Sequence, residues 1–142
     1  MKLLVAYDGS ELSKKAVLEV KNQAVEAEDK EVHIVSVLEP NGPLTQPIIS
    51  RDLRKEMMEE FNLEMEKIKQ ELGEVNGRIL TDVMISETED NPGQAICAYA
   101  ERENIDLILI GNRGLGNVKR FFLGSVSNNV VQHSPCPVLV MK

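Results

Sequence analysis

A chain of 142 residues suits one domain, spanning residues 1–142, with a single substantial core. Hydrophobic residues make up 42% and charged residues 27%, the balance of an ordinary globular protein rather than a disordered or fibrous one. The net charge of −7 argues against nonspecific nucleic-acid binding and against anionic membrane surfaces, and no segment approaches the length of a transmembrane helix.

The charge is unevenly spread. All 23 acids precede residue 111, whereas residues 111–142 carry four cations, Arg113, Lys119, Arg120 and Lys142, and no acid. An anion approaching the protein is steered to this last third. Cys97 and Cys136 form no CxxC and no zinc spacing, so both read as reduced, partly buried thiols of a cytoplasmic protein. His133 and Cys136 supply two ligands, too few for a metal site. The opening MKLLVAYDGS lacks the length of a signal-peptide core.

In chain order, Leu3 to Tyr7 is a short apolar run that reads as a buried strand ending in the turn Asp8-Gly9-Ser10. Ser10 suits the N-cap of a helix whose stripe is Leu12, Ala16, Val17, Val20, Ala24 and Val25. Val32 to Leu38 is a second strand, and His33 within it reads as a core or sheet-face histidine. The connection from Glu39 to Pro47 is long for its kind and is a candidate lid. Ile49, Leu53, Met57, Phe61, Met65, Ile68 and Leu72 recur every three or four residues, which predicts one long amphipathic helix. Arg78 to Ile85 alternates as a third strand, less buried than the first two. Asn91-Pro92 opens a helix with a core stripe of Ala95, Ile96, Tyr99 and Ala100. Asp106 to Ile110 is a fourth strand, Ser125 to His133 a short helix, and Pro137 to Met141 a fifth strand.

Strand and helix alternate without repeats or a linker. That pattern calls for a three-layer α/β domain, a doubly wound parallel five-stranded sheet with right-handed crossovers. Ligands of such sheets sit at the carboxyl ends of the strands, where the strand order reverses. A central first strand beside the fourth brings the Asp8 turn against the loop that starts at Gly111. Asp8 reads equally as a turn residue and as an acceptor for a ribose hydroxyl.

That loop carries the chemistry. After the apolar run 107–110 come glycines at 111, 114, 116 and 124, then Ser125-Val126-Ser127 at a helix start. Glycine lets backbone N–H groups approach an anion, and a helix N-terminus adds unpaired donors and the positive end of a dipole. The loop is not a P-loop, because Asn117 and Val118 follow Gly116. Nor is it a G-x-G-x-x-G fingerprint, because Lys119 stands where the third glycine belongs. Its spacing is G-x2-G-x9-G-S, through Gly111, Gly114, Gly124 and Ser125. A flexible turn is the plain alternative reading of these glycines.

This spacing resembles the ATP-binding signature of the universal stress protein family, and the resemblance runs from LLVAYDGSELSKKAV to GSVSNNVVQHSPCPVLVMK. It implies a Rossmann-like sheet of order 3-2-1-4-5. It implies Asp8 on the ribose side of a nucleotide and Val37 at the adenine, with Ala6 and Ile110 lining the cleft. Many members have proline where Ala6 stands. Gly111, Arg113, Gly114, Gly124, Ser125, Val126 and Ser127 are then expected to hold the phosphates of ATP, with Mg2+ left open. The expected partners are an adenine nucleotide and a second copy of the chain, paired through the last strand, residues 137–141. Three functions follow: an ATP-dependent sensor or regulator, a slow ATP hydrolase or phosphotransferase, and a structural dimer with an empty cleft. The intact signature weighs against the third, and the lack of a base or carboxylate cluster near the phosphates weighs against the second.

Overall fold

A computed structural model describes residues 1–23, 30–38, 51–73, 77–85, 91–113 and 123–142. In chain order the elements are β1 (Lys2–Ala6), α1 (Glu11–Gln23), β2 (Lys30–Leu38), α2 (Arg51–Leu72), β3 (Gly77–Ile85), α3 (Pro92–Glu103), β4 (Leu107–Gly111), α4 (Ser125–His133) and β5 (Val138–Met141). All five strands lie parallel in the order β3-β2-β1-β4-β5. The expected candidate lid between residues 39 and 47 lies outside the described residues, as do Ala24, Val25 and Ile49 of the two helical stripes.

The strands shift by a residue or two against the sequence reading, for reasons of hydrogen bonding. β1 ends at Ala6 rather than Tyr7, though the Tyr7 N–H still donates to the Val35 carbonyl at 2.8 Å. β2 starts earlier, at Lys30, because backbone pairing carries it past the apolar run to lie beside Gly77. β4 runs through Gly111, which pairs with Met141, and β5 starts at Val138 rather than Pro137.

Alternation sorts the strand side chains onto two faces, and each face has its own core. Leu3, Val5, Val32, Ile34 and Leu109 pack with Ala16, Val17 and Val20 of α1 and Met65, Ile68 and Leu72 of α2. Leu4, Ala6, Val35, Ile108 and Ile110 pack with Ile96, Cys97, Tyr99 and Ala100 of α3 and Val130 of α4. These positions dominate stability: each fully buried Leu, Ile or Val contributes about 1.5–3 kcal/mol. Exposed pairs such as Lys14–Glu11 and Lys69–Glu66 contribute only a few tenths of that, about 0.2–0.5 kcal/mol each.

The helix ends follow the sequence signals. Ser10 Oγ accepts the Ser13 N–H at 3.2 Å, and Asn91 Oδ1 accepts the Gly93 N–H at 2.8 Å ahead of Pro92. Asn104 closes α3 in the left-handed region, at φ 54.

His33 is a core histidine, as expected, and both ring nitrogens are engaged. Nδ1 lies 2.9 Å from the Tyr99 hydroxyl and Nε2 lies 2.8 Å from Glu31 Oε1. Burial pushes the Tyr99 phenol up to about 12, so it stays protonated, and the Arg102 guanidinium caps its ring at 4.8 Å. The hydrogen bond from His33, helped by Lys2 at 3.3 Å, holds the Glu31 carboxyl below the usual carboxylate range.

Two predictions follow from these contacts. A carboxyl depressed on folding stabilises above its unfolded pKa of about 4.3 and loses that contribution as pH falls through the folded value. Glu31→Gln is therefore expected to lower stability at pH 7, and chemical denaturation should show the difference from the parent narrowing below about pH 4. Gly111→Ala is expected to destabilise by about 1–3 kcal/mol in urea titrations. A Cβ there meets the Leu12 Cβ at 2.9 Å and the Arg113 carbonyl oxygen at 3.0 Å, neither of which yields freely.

Candidate functional site

The strand order reverses between β1 and β4. Val5 stands beside Leu109 and Ala6 beside Val35. Continuing that register past the strand ends sets the Asp8 turn between the end of β2 and the Gly111–Asn112 exit of β4. The sheet thus brings Ala6, Asp8, Val37, Ile110 and Gly111 to one crevice. Ala6 and Ile110 are buried at its floor, and Val37 is half-buried at its side.

The Asp8 turn is firmly held. Gly9 takes φ +80, a conformation that suits glycine, and the Ser10 N–H donates to Asp8 Oδ1 at 3.0 Å. The second carboxylate oxygen, Oδ2, has no hydrogen-bond partner among the described residues. Behind the turn, buried Ser36 donates its hydroxyl to the Tyr7 carbonyl at 2.7 Å, and the Tyr7 hydroxyl donates to Glu64 of α2 at 2.6 Å. Burial and the Glu64 carboxylate push the Tyr7 phenol pKa upward, which keeps it a donor. Val37 presents its peptide edge beside this turn. The Val35 carbonyl accepts from Tyr7, so Val37, two residues further on, directs its N–H and C=O to the same side, past the end of β1.

Across the crevice, Asn112 joins β4 to α4. Its N–H donates to the Met141 carbonyl, and its own carbonyl accepts the Gly124 N–H, both at 2.8 Å. The same carbonyl accepts the Ser127 hydroxyl at 2.9 Å, and the Gly124 carbonyl lies 3.1 Å from that hydroxyl. A hydroxyl has one hydrogen to give, so Ser127 is committed to this clasp and offers an anion its N–H.

Gly124 is the N-cap of α4, with extended φ −63 and ψ 162 and no side-chain cap. The first hydrogen bond along the helix runs from the Asn128 N–H to the Gly124 carbonyl. The N–H groups of Ser125, Val126 and Ser127 precede it and have no partner within the helix. They aim out of the positive end of the helix dipole, beside the exposed Ser125 hydroxyl. Gly124 also differs from Gly111. A Cβ at Gly124 meets nothing nearer than 3.6 Å, ordinary contact, and its φ suits any residue. The fold requires glycine at 111, whereas the described residues leave space at 124.

Arg113 follows Asn112, half-buried, with Nε 3.5 Å from Asn112 Oδ1. Gly114, Lys119 and Arg120 lie outside the described residues. Among the described residues no group of three His, Cys, Asp or Glu stands close enough to hold a metal ion, and no helix is long and apolar enough to cross a membrane. Sequence reasoning missed Asn112, Ser36 and Tyr7. Asn112 acts through its backbone, which carries no sequence signal, whereas a lone serine inside the apolar run VHIVSVL is the one visible hint of Ser36.

The family model described as "Universal stress protein family" matches residues 1–142. A universal stress protein of Thermus aquaticus is 34% identical over 99% of this chain and 97% of its own. The solved structure of the protein MJ0577 of Methanocaldococcus jannaschii superposes with a TM-score of 0.82 at 30% identity, covering 99% of this chain and 94% of that one. Two more distant structures share the fold. An Arabidopsis thaliana member, 20% identical with a TM-score of 0.66, was solved with AMP bound; it is covered for 100% of this chain and 91% of its own. Another universal stress protein, 21% identical with a TM-score of 0.71, was solved with cAMP, covering 100% of this chain and 97% of its own. With a match over its whole length and a parallel sheet of order 3-2-1-4-5, this chain belongs to the universal stress protein family.

Proposed function

We propose that this chain binds an adenine nucleotide, ATP in the first instance, between the Asp8 turn and the N-terminus of α4. It then works in the cytoplasm as a nucleotide-dependent sensor or regulator of a stress response. The observation that carries this reading is Gly124. Glycine stands where the described residues leave room for a side chain, beside three backbone donors at a helix start with no side-chain cap. A phosphate seated on those donors supplies the missing reason for glycine, since it needs the backbone at close range. The relatives solved with AMP and with cAMP support an adenine base.

In this reading Asp8 Oδ2 accepts a ribose hydroxyl, and the peptide edge of Val37 reads the base over a floor of Ala6 and Ile110. Gly111, Arg113, Gly114, Gly124, Ser125, Val126 and Ser127 surround the phosphates. Mg2+ would be held by phosphate oxygens and water more than by side chains. Hydrolysis needs an oriented water and stabilised developing charge. Asp8 is the carboxylate that the crevice supplies, and one of its oxygens is already tied to Ser10.

The same reading includes a homodimer through β5. This strand ends the sheet and its four residues are half-buried. The Pro137 carbonyl accepts from Ile108 and the Met141 carbonyl from Asn112. Odd positions therefore face β4, and Val138 and Val140 turn their peptide groups outward, open to a second copy.

Titration calorimetry is expected to show ATP binding, with Gly124→Val weakening it roughly a hundredfold, about 2.7 kcal/mol, while thermal melting stays close to that of the parent. Equal affinity of the two proteins would overturn the reading. Bound ATP should stay intact in single-turnover assays with and without Mg2+. Phosphate release near one per second that vanished in Asp8→Ala would favour the enzyme instead. Val140→Pro removes one outward N–H while sparing the ladder to β4, so sedimentation should show a lower mass for it than for the parent at the same concentration.

A further inference from the structure

β3 forms the opposite edge of the sheet, and the orientation of its peptide groups follows from its neighbours. The Glu31 N–H donates to the Met1 carbonyl and the Tyr7 N–H to the Val35 carbonyl, so odd positions of β2 face β1 and even positions face β3. In a parallel ladder Val32, opposite Ile79, bonds to residues 78 and 80. Even positions of β3 are thus taken up by β2, and Ile79, Thr81 and Val83 direct N–H and C=O outward.

The side chains on this edge carry a second pattern. Arg78, Leu80, Asp82 and Met84 share the face of His33 and Val35, with Arg78 and Asp82 exposed. Arg78 is 72% exposed, with a long 3.9 Å approach to Glu31, whose carboxylate already serves His33 and Lys2. Edge strands are commonly blunted by charges that repel or mismatch a second copy. Here the two exposed charges are opposite in sign and symmetric about Leu80.

We infer that β3 is a second self-association edge, pairing antiparallel with β3 of another copy with Leu80 on the two-fold axis. This register sets Arg78 of each chain opposite Asp82 of the other, twice over. It also makes Ile79–Thr81 and Gly77–Val83 the hydrogen-bonded pairs. The Arg78–Asp82 pairs then fall at non-hydrogen-bonded positions, where Cβ atoms approach most closely, at about 4.5–5.5 Å. Other registers lose this match. With Thr81 on the axis Arg78 faces Met84, with Ile79 on the axis it faces Leu80, and with Asp82 on the axis two carboxylates meet. The contact is isologous, as a two-fold requires, and it is independent of nucleotide binding and of the β5 edge.

The test is sedimentation equilibrium of the full chain and three variants, Arg78→Asp, Asp82→Arg and the charge-swapped double variant. Each single change should at least halve the mass at a given concentration, and the double should restore it. Circular dichroism confirms that each variant is folded. Amide exchange at Ile79, Thr81 and Val83 should be slow in the parent, fast in each single variant and slow again in the double. Equal masses across all four proteins, or a double variant that stays at the mass of the singles, would overturn the inference. Repeating the series on Val140→Pro separates the edges: charge dependence that persists there belongs to β3, whatever becomes of the β5 reading.

Discussion

One backbone carbonyl, that of Asn112, organises the crevice. It accepts both the Gly124 N–H and the Ser127 hydroxyl, so the start of α4 is fixed against the end of β4 whatever the intervening residues do. The Asn112 N–H in turn is tied to Met141 at the end of β5. The position of the helix terminus is thereby set by the sheet. Three N–H groups that have no partner within the helix are thereby held at a fixed place, which is the preorganisation that the proposed phosphate site calls for.

The opposite wall is built by the same logic from different groups. The backbone of Tyr7 bonds to β2 through Val35 and Ser36, and its hydroxyl reaches Glu64 on α2. Asp8 is therefore the first residue beyond a segment held on three sides, and its turn to Ser10 fixes which oxygen remains open. Electrostatics adds direction. The acids all lie before residue 111, and Arg113 stands just after it at the exit of β4, so the α4 side of the crevice is the less negative one.

Much of this was legible in the sequence because it rests on periodicity and on residues with one physical use. The stripe of Met65, Ile68 and Leu72 and the cap pair Asn91-Pro92 act in the structure as their spacing suggests. The strand order followed from alternation together with the resemblance. Less legible was the division of labour among the glycines. Gly111 and Gly124 look alike in a motif, yet one is demanded by Leu12 and the other has space among the described residues. That difference depends on which helix passes behind each position, a fact of tertiary packing. Ser127 shows the same limit. Its place at a helix start gives no sign that its hydroxyl donates to carbonyls of its own chain.

The pairing of β1 with β4 has a temporal side. Leu3 lies beside Leu107, a far greater sequence separation than in any other strand pair of the sheet. Contacts so distant along the chain are slow to form, because a large loop must close before they repay its entropy. β1, β2 and β3 with α1 and α2 can associate among themselves, but the crevice exists only once β4 has docked beside β1. A ligand bound there adds its free energy to that docked state alone, by RT ln(1 + [L]/Kd). Nucleotide occupancy would then select the completed sheet over a chain that has assembled only its first half.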